Sequence, residues 1–272
     1  MPMKNTLYIL IVVAMTLSAC SKPESLQAPG GEVIVNYSVA VPQTRAVPDD
    51  AVNYVWYALY DHGTGTLLKE YEPVIVIGGR AECPVSMMRK HSYKVVFVAQ
   101  HIELNGGQKV PSYSVDAQAA VISMPHLAVA NSNNYDVFTC VDEVLDYDGA
   151  EPGPVELNRI TAQVKFKCTP DSWDSFMPTA SSLALEGVPQ SYNVLTKEFS
   201  ATSVKVEYAK ASLDNGQPCL IGTAYCFARE NISKAELTLY NNSRHIVLEA
   251  DSVPVEKNIR TNVLFTEDLN NL

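Results

Sequence analysis

The sequence predicts an all-β protein made of two β-sandwiches, and three observations indicate it. Short apolar or alternating runs recur about every 8 to 12 residues, a spacing typical of sandwich strands. Gly, Pro and Asn separate these runs, as in the turns DHGTG at 61–65 and NGG at 105–107. No long stretch repeats apolar residues with the period of a helix, so helices are expected to be short and rare.

The first twenty residues indicate export. Lys4 supplies a positive charge, and residues 7–17 form an apolar run in which only Thr16 is polar. This run is too short to span a ~30 Å hydrocarbon core, but it suits a signal peptide. LSAC at 17–20 resembles the bacterial lipobox, in which a peptidase cuts before the Cys and the Cys then carries acyl chains.

These features predict a signal peptide at 1–19 and acyl chains such as palmitate on Cys20, which tether the protein to the cell outer membrane. Each buried CH₂ contributes about 0.8 kcal/mol, so two or three chains anchor stably where one would not. The alternative interpretation is an ordinary secretory signal with a cysteine there by chance. No later segment reaches about 18 uninterrupted apolar residues, so no spanning helix is expected.

The charge balance argues against a nucleic-acid partner. The chain has 20 Lys and Arg against 30 Asp and Glu, a formal net charge of −10, and no run of basic residues. An acidic surface favours solubility outside the cytoplasm.

The first half of the chain contains a Ser, Pro and Gly-rich spacer at 20–31 and then a series of predicted strands. The first strand has an apolar face made of Val33, Val35, Tyr37, Val39 and Val41. The next strands are predicted at 54–60, 73–77, 83–88, 93–99 and 119–123. The run YKVVFVA at 93–99 is almost continuously apolar, as in a strand covered on both faces.

A domain boundary is predicted where VLDYDGAEPGP, at 144–154, combines acidic residues with Gly and Pro. We therefore expect domains at 32–150 and 151–272. Further strands are predicted at 155–168, 182–185, 203–208, 220–228, 235–240 and 246–250. A short helix is expected at 171–177, with Asp171 or Ser172 as its N-cap.

The cysteine pattern gives no sign of a metal or redox site, because no CxxC spacing occurs. Beyond Cys20 the chain has Cys83, Cys140, Cys168, Cys219 and Cys226. An odd number cannot all pair, so at least one thiol is free or intermolecular. Cys219 and Cys226 are seven apart in a strand-like run and would point to opposite faces, so we expect most of these residues to be buried small hydrophobes.

Other chemistry has little support. An acidic stretch could suggest calcium, but it lacks the 12-residue loop spacing, and a solvated linker is favoured. Its members are Asp142, Glu143, Asp146, Asp148 and Glu151. The five histidines are scattered without an HExxH motif, and neither GxSxG nor a P-loop occurs. No catalytic residue, cofactor or metal ligand is therefore assigned, and Trp56, in an aromatic strand, is expected in the core rather than in a sugar site.

Several phrases, in a shared order, carry a family resemblance. They are KVVFVAQ at 94–100, NYDVFTC at 134–140, VELNRITAQVKFKC at 155–168, SYNVLTKEFS at 191–200 and VPVEKNIRTNVLF at 253–265. Together they resemble the Bacteroidetes fimbrillins, fimbrial subunit lipoproteins of the Porphyromonas and Bacteroides type. The sequence departs from the family where an Arg before Asp136 is absent and where Lys197 replaces a Gly.

The resemblance implies two transthyretin-like β-sandwich domains, lipoprotein export, cleavage by an Arg-specific protease and polymerisation with other fimbrial subunits. By position, the cleaved bond is Arg45–Ala46, so residues 32–45 would be a removable strand. Its five apolar side chains, at ~1.5–3 kcal/mol each, correspond to an upper figure of ~8–15 kcal/mol of burial that a neighbour's strand could replace. The alternative interpretation of Arg45 is an exposed loop arginine.

One departure bears on the role of the subunit. Only LFTEDLNNL follows Val263, and this mostly polar segment would make a poor donor strand. It favours a tip or accessory subunit over a stalk subunit.

The rival hypothesis from another class is a surface lipoprotein that binds glycan for nutrient capture and needs no cleavage at Arg45. A hydrolase with an unmarked site is a third and weaker hypothesis. Asp251-Ser252-Val253 resembles a short O-glycosylation signal.

Overall fold

The structure is a computed structural model that describes residues 31–42, 52–125, 127–214, 216–229, 231–242 and 244–269. The predicted signal peptide, the lipidation site Cys20 and the cleavage bond Arg45–Ala46 lie outside the described residues. The described part is nearly all β, which confirms the predicted fold class. Within it, no helix has the length and apolar character needed to cross a membrane.

Among the described residues, twelve strands lie before the predicted boundary. They are β1 (Glu32–Ala40), β2 (Tyr54–Asp61), β3 (Leu67–Glu70), β4 (Val74–Ile75), β5 (Arg80–Met88), β6 (Tyr93–Gln100), β7 (Ile102–Asn105), β8 (Gln108–Pro111), β9 (Ser114–Asp116), β10 (Val121–Ser123), β11 (Leu127–Val129) and β12 (Phe138–Val144).

In the described part beyond the boundary, eleven strands and one α-helix follow. They are β13 (Val155–Glu156), β14 (Asn158–Arg159), β15 (Thr161–Cys168), helix α1 (Pro170–Phe176), β16 (Ala180–Pro189), β17 (Ser191–Asn193), β18 (Glu198–Phe199), β19 (Ser203–Ser212), β20 (Leu220–Phe227), β21 (Asn231–Asn241), β22 (Arg244–Pro254) and β23 (Arg260–Phe265).

The N-cap of α1 differs from the predicted one. Thr169 is the N-cap, and its Oγ1 accepts a hydrogen bond from the Ser172 backbone N–H at 3.3 Å. Pro170 occupies the first turn, where its missing N–H is not needed. The prediction of Asp171 or Ser172 was therefore wrong by two to three residues, because Pro170 allows the helix to begin earlier.

Two sheets face each other around the N-terminal core. One has the order β13-β1-β5, and the other has the order β14-β12-β6-β2-β3, with β4 paired to β2. In β6, Val95, Phe97 and Ala99 face the β1–β5 side. Val96 and Val98, on the opposite face, belong to the core of the second half. This two-sided burial explains the continuous apolar run of β6.

The second half is built around a five-stranded sheet, β11-β19-β16-β21-β22, with the smaller sheets β20-β15-β23 and β18-β17-β10-β9. Residues 114–129 contribute to these sheets although they precede the predicted boundary, because β10 pairs with β17 and β11 pairs with β19. A boundary near residue 150 therefore does not separate the sheets. The division at 32–150 and 151–272 stays a prediction.

Candidate functional site

The first strand, β1, completes the smaller N-terminal sheet. It pairs antiparallel with β5 from Glu32 opposite Met88 to Ala40 opposite Arg80. On its other side only Val39 and Ala40 pair, in parallel, with β13. Among the described strands, β1 is the only ladder partner of β5. Without β1, β5 would thus present two unpaired edges.

The inward face of β1 fills the N-terminal core. Val35, Tyr37 and Val39 are at most 1% exposed, Val41 is buried, and Val33 packs half-buried against the same cluster. These are the five side chains that the alternating pattern places on one face. Their neighbour Ile34 points outward and is 68% exposed. The strand is therefore held mainly by apolar burial on one side, at roughly 1.5–3 kcal/mol for each fully buried large side chain.

Tyr37 is also tied to the opposite sheet by a polar contact. Its hydroxyl donates a hydrogen bond to Asp142 Oδ2 at 3.0 Å, and its ring centroid lies 5.2 Å from that of Phe97. Burial, and then the nearby Asp142 carboxylate, raise the pKa of Tyr37 above its ordinary value. The phenol therefore stays protonated and continues to donate at physiological pH.

The outward face of β1 makes weaker polar contacts with β5. Ser38 Oγ donates to Glu82 Oε1 at 2.9 Å, and Ser86 Oγ donates to Glu32 Oε1. At the end of the strand, the Val41 backbone N–H donates to the Gly79 carbonyl oxygen at 2.9 Å. Exposed hydrogen bonds of this kind compete with water, so they align β1 more than they retain it.

The chain leaves β1 on one side of the sandwich and re-enters on the other. β1 belongs to the sheet of β5, whereas β2, the next strand, lies in the sheet of β6 and β12. Residues 43–51, which contain Arg45, are the only covalent path between these two strands. That segment lies outside the described residues.

A buried ion pair joins two of the phrases that sequence analysis singled out. Arg159 Nη2 lies 2.8 Å from Asp136 Oδ2, and Thr161 Oγ1 donates to Asp136 Oδ1 at 2.6 Å. Burial raises the pKa of Asp136, and the Arg159 charge opposes that shift. The guanidinium also lies over the Phe138 ring at 5.0 Å. The pair links the segment just before β12 to β14, and sequence spacing alone could not indicate this contact.

The closing phrase of the sequence is built into the second half. Arg260 Nε donates to Gln163 Oε1 at 2.8 Å, and Gln163 Nε2 donates to the Tyr225 hydroxyl at 2.6 Å. Tyr225 in turn donates to Asn133 Oδ1 at 3.1 Å. Around this chain of hydrogen bonds, β23 pairs in parallel with β15 from Arg260 to Phe265. The last described strand, β23, is therefore an integral part of its sheet.

The acidic stretch considered as a calcium site lines a cavity of about 270 Å³ beside β1. The lining includes Val35 and Tyr37 together with Asp142, Glu143, Asp146, Asp148 and Glu151. Among the residues that the structure describes, no group of three or more His, Cys, Asp or Glu side chains is arranged to hold a metal ion. Trp56 is buried, and its Nε1 donates to Glu70 Oε1 at 2.8 Å, which is a core position rather than an exposed stacking surface.

A family model covers almost the whole chain, matching residues 25–269. The chain belongs to the family of unknown function DUF6562. No curated protein matches the sequence of this DUF6562 member.

Several solved structures of bacterial proteins share this fold. A candidate cell adhesion protein from Bacteroides uniformis is 10% identical, with a TM-score of 0.52 over 86% of this chain and 92% of that one. A candidate cell adhesion protein from Bacteroides ovatus is 13% identical, with a TM-score of 0.50 over 88% and 94%. A candidate polysaccharide-binding protein from Bacteroides thetaiotaomicron is 10% identical, with a TM-score of 0.50 over 80% of each chain. At these identities the likeness shows the fold alone, and in fold the predicted resemblance of this DUF6562 chain to Bacteroidetes adhesion proteins is confirmed.

Proposed function

We propose that this protein is a structural and adhesive subunit of a cell-surface fimbria, exported as a lipoprotein through Cys20 and activated by cleavage after Arg45. The observation that carries the proposal is the position of β1. This strand completes the β5 sheet and fills the N-terminal core, while one short segment containing Arg45 links it to the next strand. The fold shared with cell adhesion proteins supports a surface role.

Assembly would proceed by strand replacement. After cleavage, β1 is held only by non-covalent contacts, and its departure uncovers the β5 edge and an apolar groove that includes Val85, Met87 and Phe97. An unpaired edge next to an apolar groove binds an extended segment through main-chain hydrogen bonds and alternate side-chain pockets. A strand from a neighbouring subunit would supply both. The partners are thus other fimbrial subunits and an Arg-specific protease, and no step requires a catalytic residue in this chain.

A tip or accessory role is part of this proposal. Its support is that β23 is hydrogen-bonded to β15 and carries Arg260 into the polar chain around Gln163. Releasing β23 as a donor would break that arrangement. The subunit would then accept a strand from a neighbour without offering β23 as a donor.

The test is N-terminal sequencing and mass measurement of the protein recovered from the cell surface. The proposal predicts a start at Ala46 in assembled fibres, and it predicts that Arg45→Gln abolishes both the cut and incorporation into filaments seen by electron microscopy. Arg80→Gln, at the end of β5, is the matched control and should be processed normally. Filaments that contain the Arg45→Gln protein at the natural level would contradict the proposal.

The competing function is glycan capture by a tethered surface lipoprotein. The fold shared with the candidate polysaccharide-binding protein supports it as a second candidate. Such a protein would retain residues 20–45 in its mature surface form. The same mass measurement therefore separates the two functions.

A further inference from the structure

Two cysteines meet at the end of the β15–β20 ladder in the second half of the protein. Cys168 is the last residue of β15, and Cys219 directly precedes β20. The Cys168 backbone N–H donates to the Cys219 carbonyl oxygen at 2.9 Å, so the antiparallel alignment continues through this pair. Their thiols also lie within hydrogen-bonding reach of each other.

The side chains of the pair point the same way. Cys168 is buried in the large core cluster, and Cys219 packs half-buried against that same cluster. Residues opposite each other in an antiparallel ladder have Cβ atoms about 4.5–5.5 Å apart, which is close to the range that a disulfide spans. Cys219 has a φ of 69°, an unusual backbone conformation for a residue other than Gly.

The remaining thiols of the described residues are placed elsewhere. Cys226 lies at the far end of β20, opposite Ala162, and Cys83 lies in the separate N-terminal core. Cys140 packs at the edge of that N-terminal core. Cys168 and Cys219 are therefore natural partners for each other, although all five are free thiols in the structure.

We propose that Cys168 and Cys219 form an intramolecular disulfide when the exported chain meets a protein or small-molecule disulfide oxidant. This proposal rests on the proposed export for an oxidising compartment, since disulfides persist outside the cytoplasm. Chemical pairing of the two thiols does not depend on fimbrial assembly.

The reaction is a two-step thiol–disulfide exchange. The thiolate of Cys219, the more exposed of the two, attacks the S–S bond of the oxidant, and one oxidant sulfur leaves as a thiolate. The Cys168 thiolate then attacks the Cys219 sulfur of this mixed disulfide, and the second oxidant sulfur leaves. Two electrons pass to the oxidant, which becomes two thiols, and the cysteines release two protons. Burial, and then the neighbouring Cys219, raise the pKa of Cys168 to about 12, so the second step accelerates with rising pH.

The bond would cross-link the end of β15 to the residue before β20 in the second half of the protein. The loop between the two cysteines contains α1 and strands β16 to β19, and β16 and β19 are neighbours in the five-stranded sheet. Closing a loop of this length restricts the unfolded chain, so the oxidised protein should be more stable than the reduced one.

The experiment is peptide mapping by mass spectrometry after treatment of the purified protein with oxidised glutathione and alkylation of the remaining thiols. We expect a linked pair of peptides containing Cys168 and Cys219, with Cys83, Cys140 and Cys226 alkylated. The oxidised protein should melt about 5–10 °C higher than the reduced protein. Cys219→Ser should remove this difference, whereas the matched control Cys140→Ser should keep it.

Two results would overturn the inference: alkylation of both Cys168 and Cys219 after oxidation, or a different pairing such as Cys219 with Cys226. Mapping of the wild-type protein decides this even if a variant fails to fold. Protein trapped by alkylation at the cell surface must contain the same bond, and two alkylated thiols there would also contradict it. Absence of the protein from fimbriae would refute the proposed function and leave the pairing in the purified protein unaffected.

Discussion

The hydroxyl of Tyr37 donates a hydrogen bond to Asp142 Oδ2 at 3.0 Å, joining residues that are 105 positions apart. Tyr37 lies in β1 and Asp142 in β12, so the bond crosses the sandwich from one sheet to the other. It is a polar contact on the otherwise apolar inner face of β1. Any segment that replaced β1 would leave Asp142 without this donor unless it carried a hydroxyl or cation at the same place.

Tyr37→Phe should therefore loosen β1 without emptying its core position. The ring remains, but Asp142 loses its donor, and we expect the free energy of unfolding to fall by about 1–2 kcal/mol, as for hydrogen bonds to charged groups in part-buried sites. Chemical denaturation by urea measures this. Ser38→Ala removes only the exposed contact to Glu82 and should change stability by less than about 0.5 kcal/mol. Equal losses for the two variants would contradict a special role for Tyr37.

Alkaline pH should destabilise the protein through its buried tyrosines. Burial raises the pKa of Tyr113 and Tyr208 well above the ordinary value, and burial raises the pKa of Tyr57 to about 12. Because the folded pKa exceeds the unfolded one, the stabilisation is fully present below about pH 10 and is lost as pH rises through the folded value. Urea denaturation at stepped pH should show a decline above about pH 10. A free energy of unfolding that stays flat there would refute the burial effect.

Arg159 should be essential for stability, because its removal leaves the Asp136 carboxylate buried without a positively charged partner. Arg159→Met should lower the free energy of unfolding by about 3–5 kcal/mol, the range for breaking a buried ion pair on one side. Removing both charges, with Asp136→Leu added, should recover part of the loss. The control Lys205→Met breaks an exposed pair with Glu186 at 3.7 Å and should cost at most about 1 kcal/mol. If Arg159→Met alone were as stable as the variant that also carries Asp136→Leu, this account would be contradicted.

How much of the fold could be predicted from the sequence depended on how far apart along the chain the interacting residues lie. The apolar face of β1 and the two-sided burial of β6 could be predicted, because both are written in residues one or two positions apart. The pairing of β10 with β17 and of β11 with β19 could not, since strand partners far apart in sequence leave no local pattern. For the same reason, Asp136 with Arg159 and Cys168 with Cys219 emerged only from the fold.

The exchange of β1 gives the most direct prediction. A labelled synthetic peptide covering residues 32–42 should enter the protein after it has been cut at Arg45 in the folded state, and it should not enter the uncut protein. Main-chain pairing with β5 would align the peptide in the register of Glu32 opposite Met88. Fluorescence anisotropy of the labelled peptide measures its entry.

Two peptide variants test whether the inner face of β1 determines binding. Val35→Asp places a carboxylate at a position that is 1% exposed, whereas Ile34→Asp places the same charge on the adjacent outward position, which is 68% exposed. Burying an unpaired charge is strongly unfavourable, so the Val35→Asp peptide should bind more than about tenfold more weakly, and the Ile34→Asp peptide close to the natural one. The two substitutions have the same chemistry and nearly the same distance from Arg45, so only the inward groove distinguishes them. Equal affinity of both variants, or equal entry into uncut protein, would mean that β1 is a fixed part of the sheet, and strand replacement at this site would have to be abandoned.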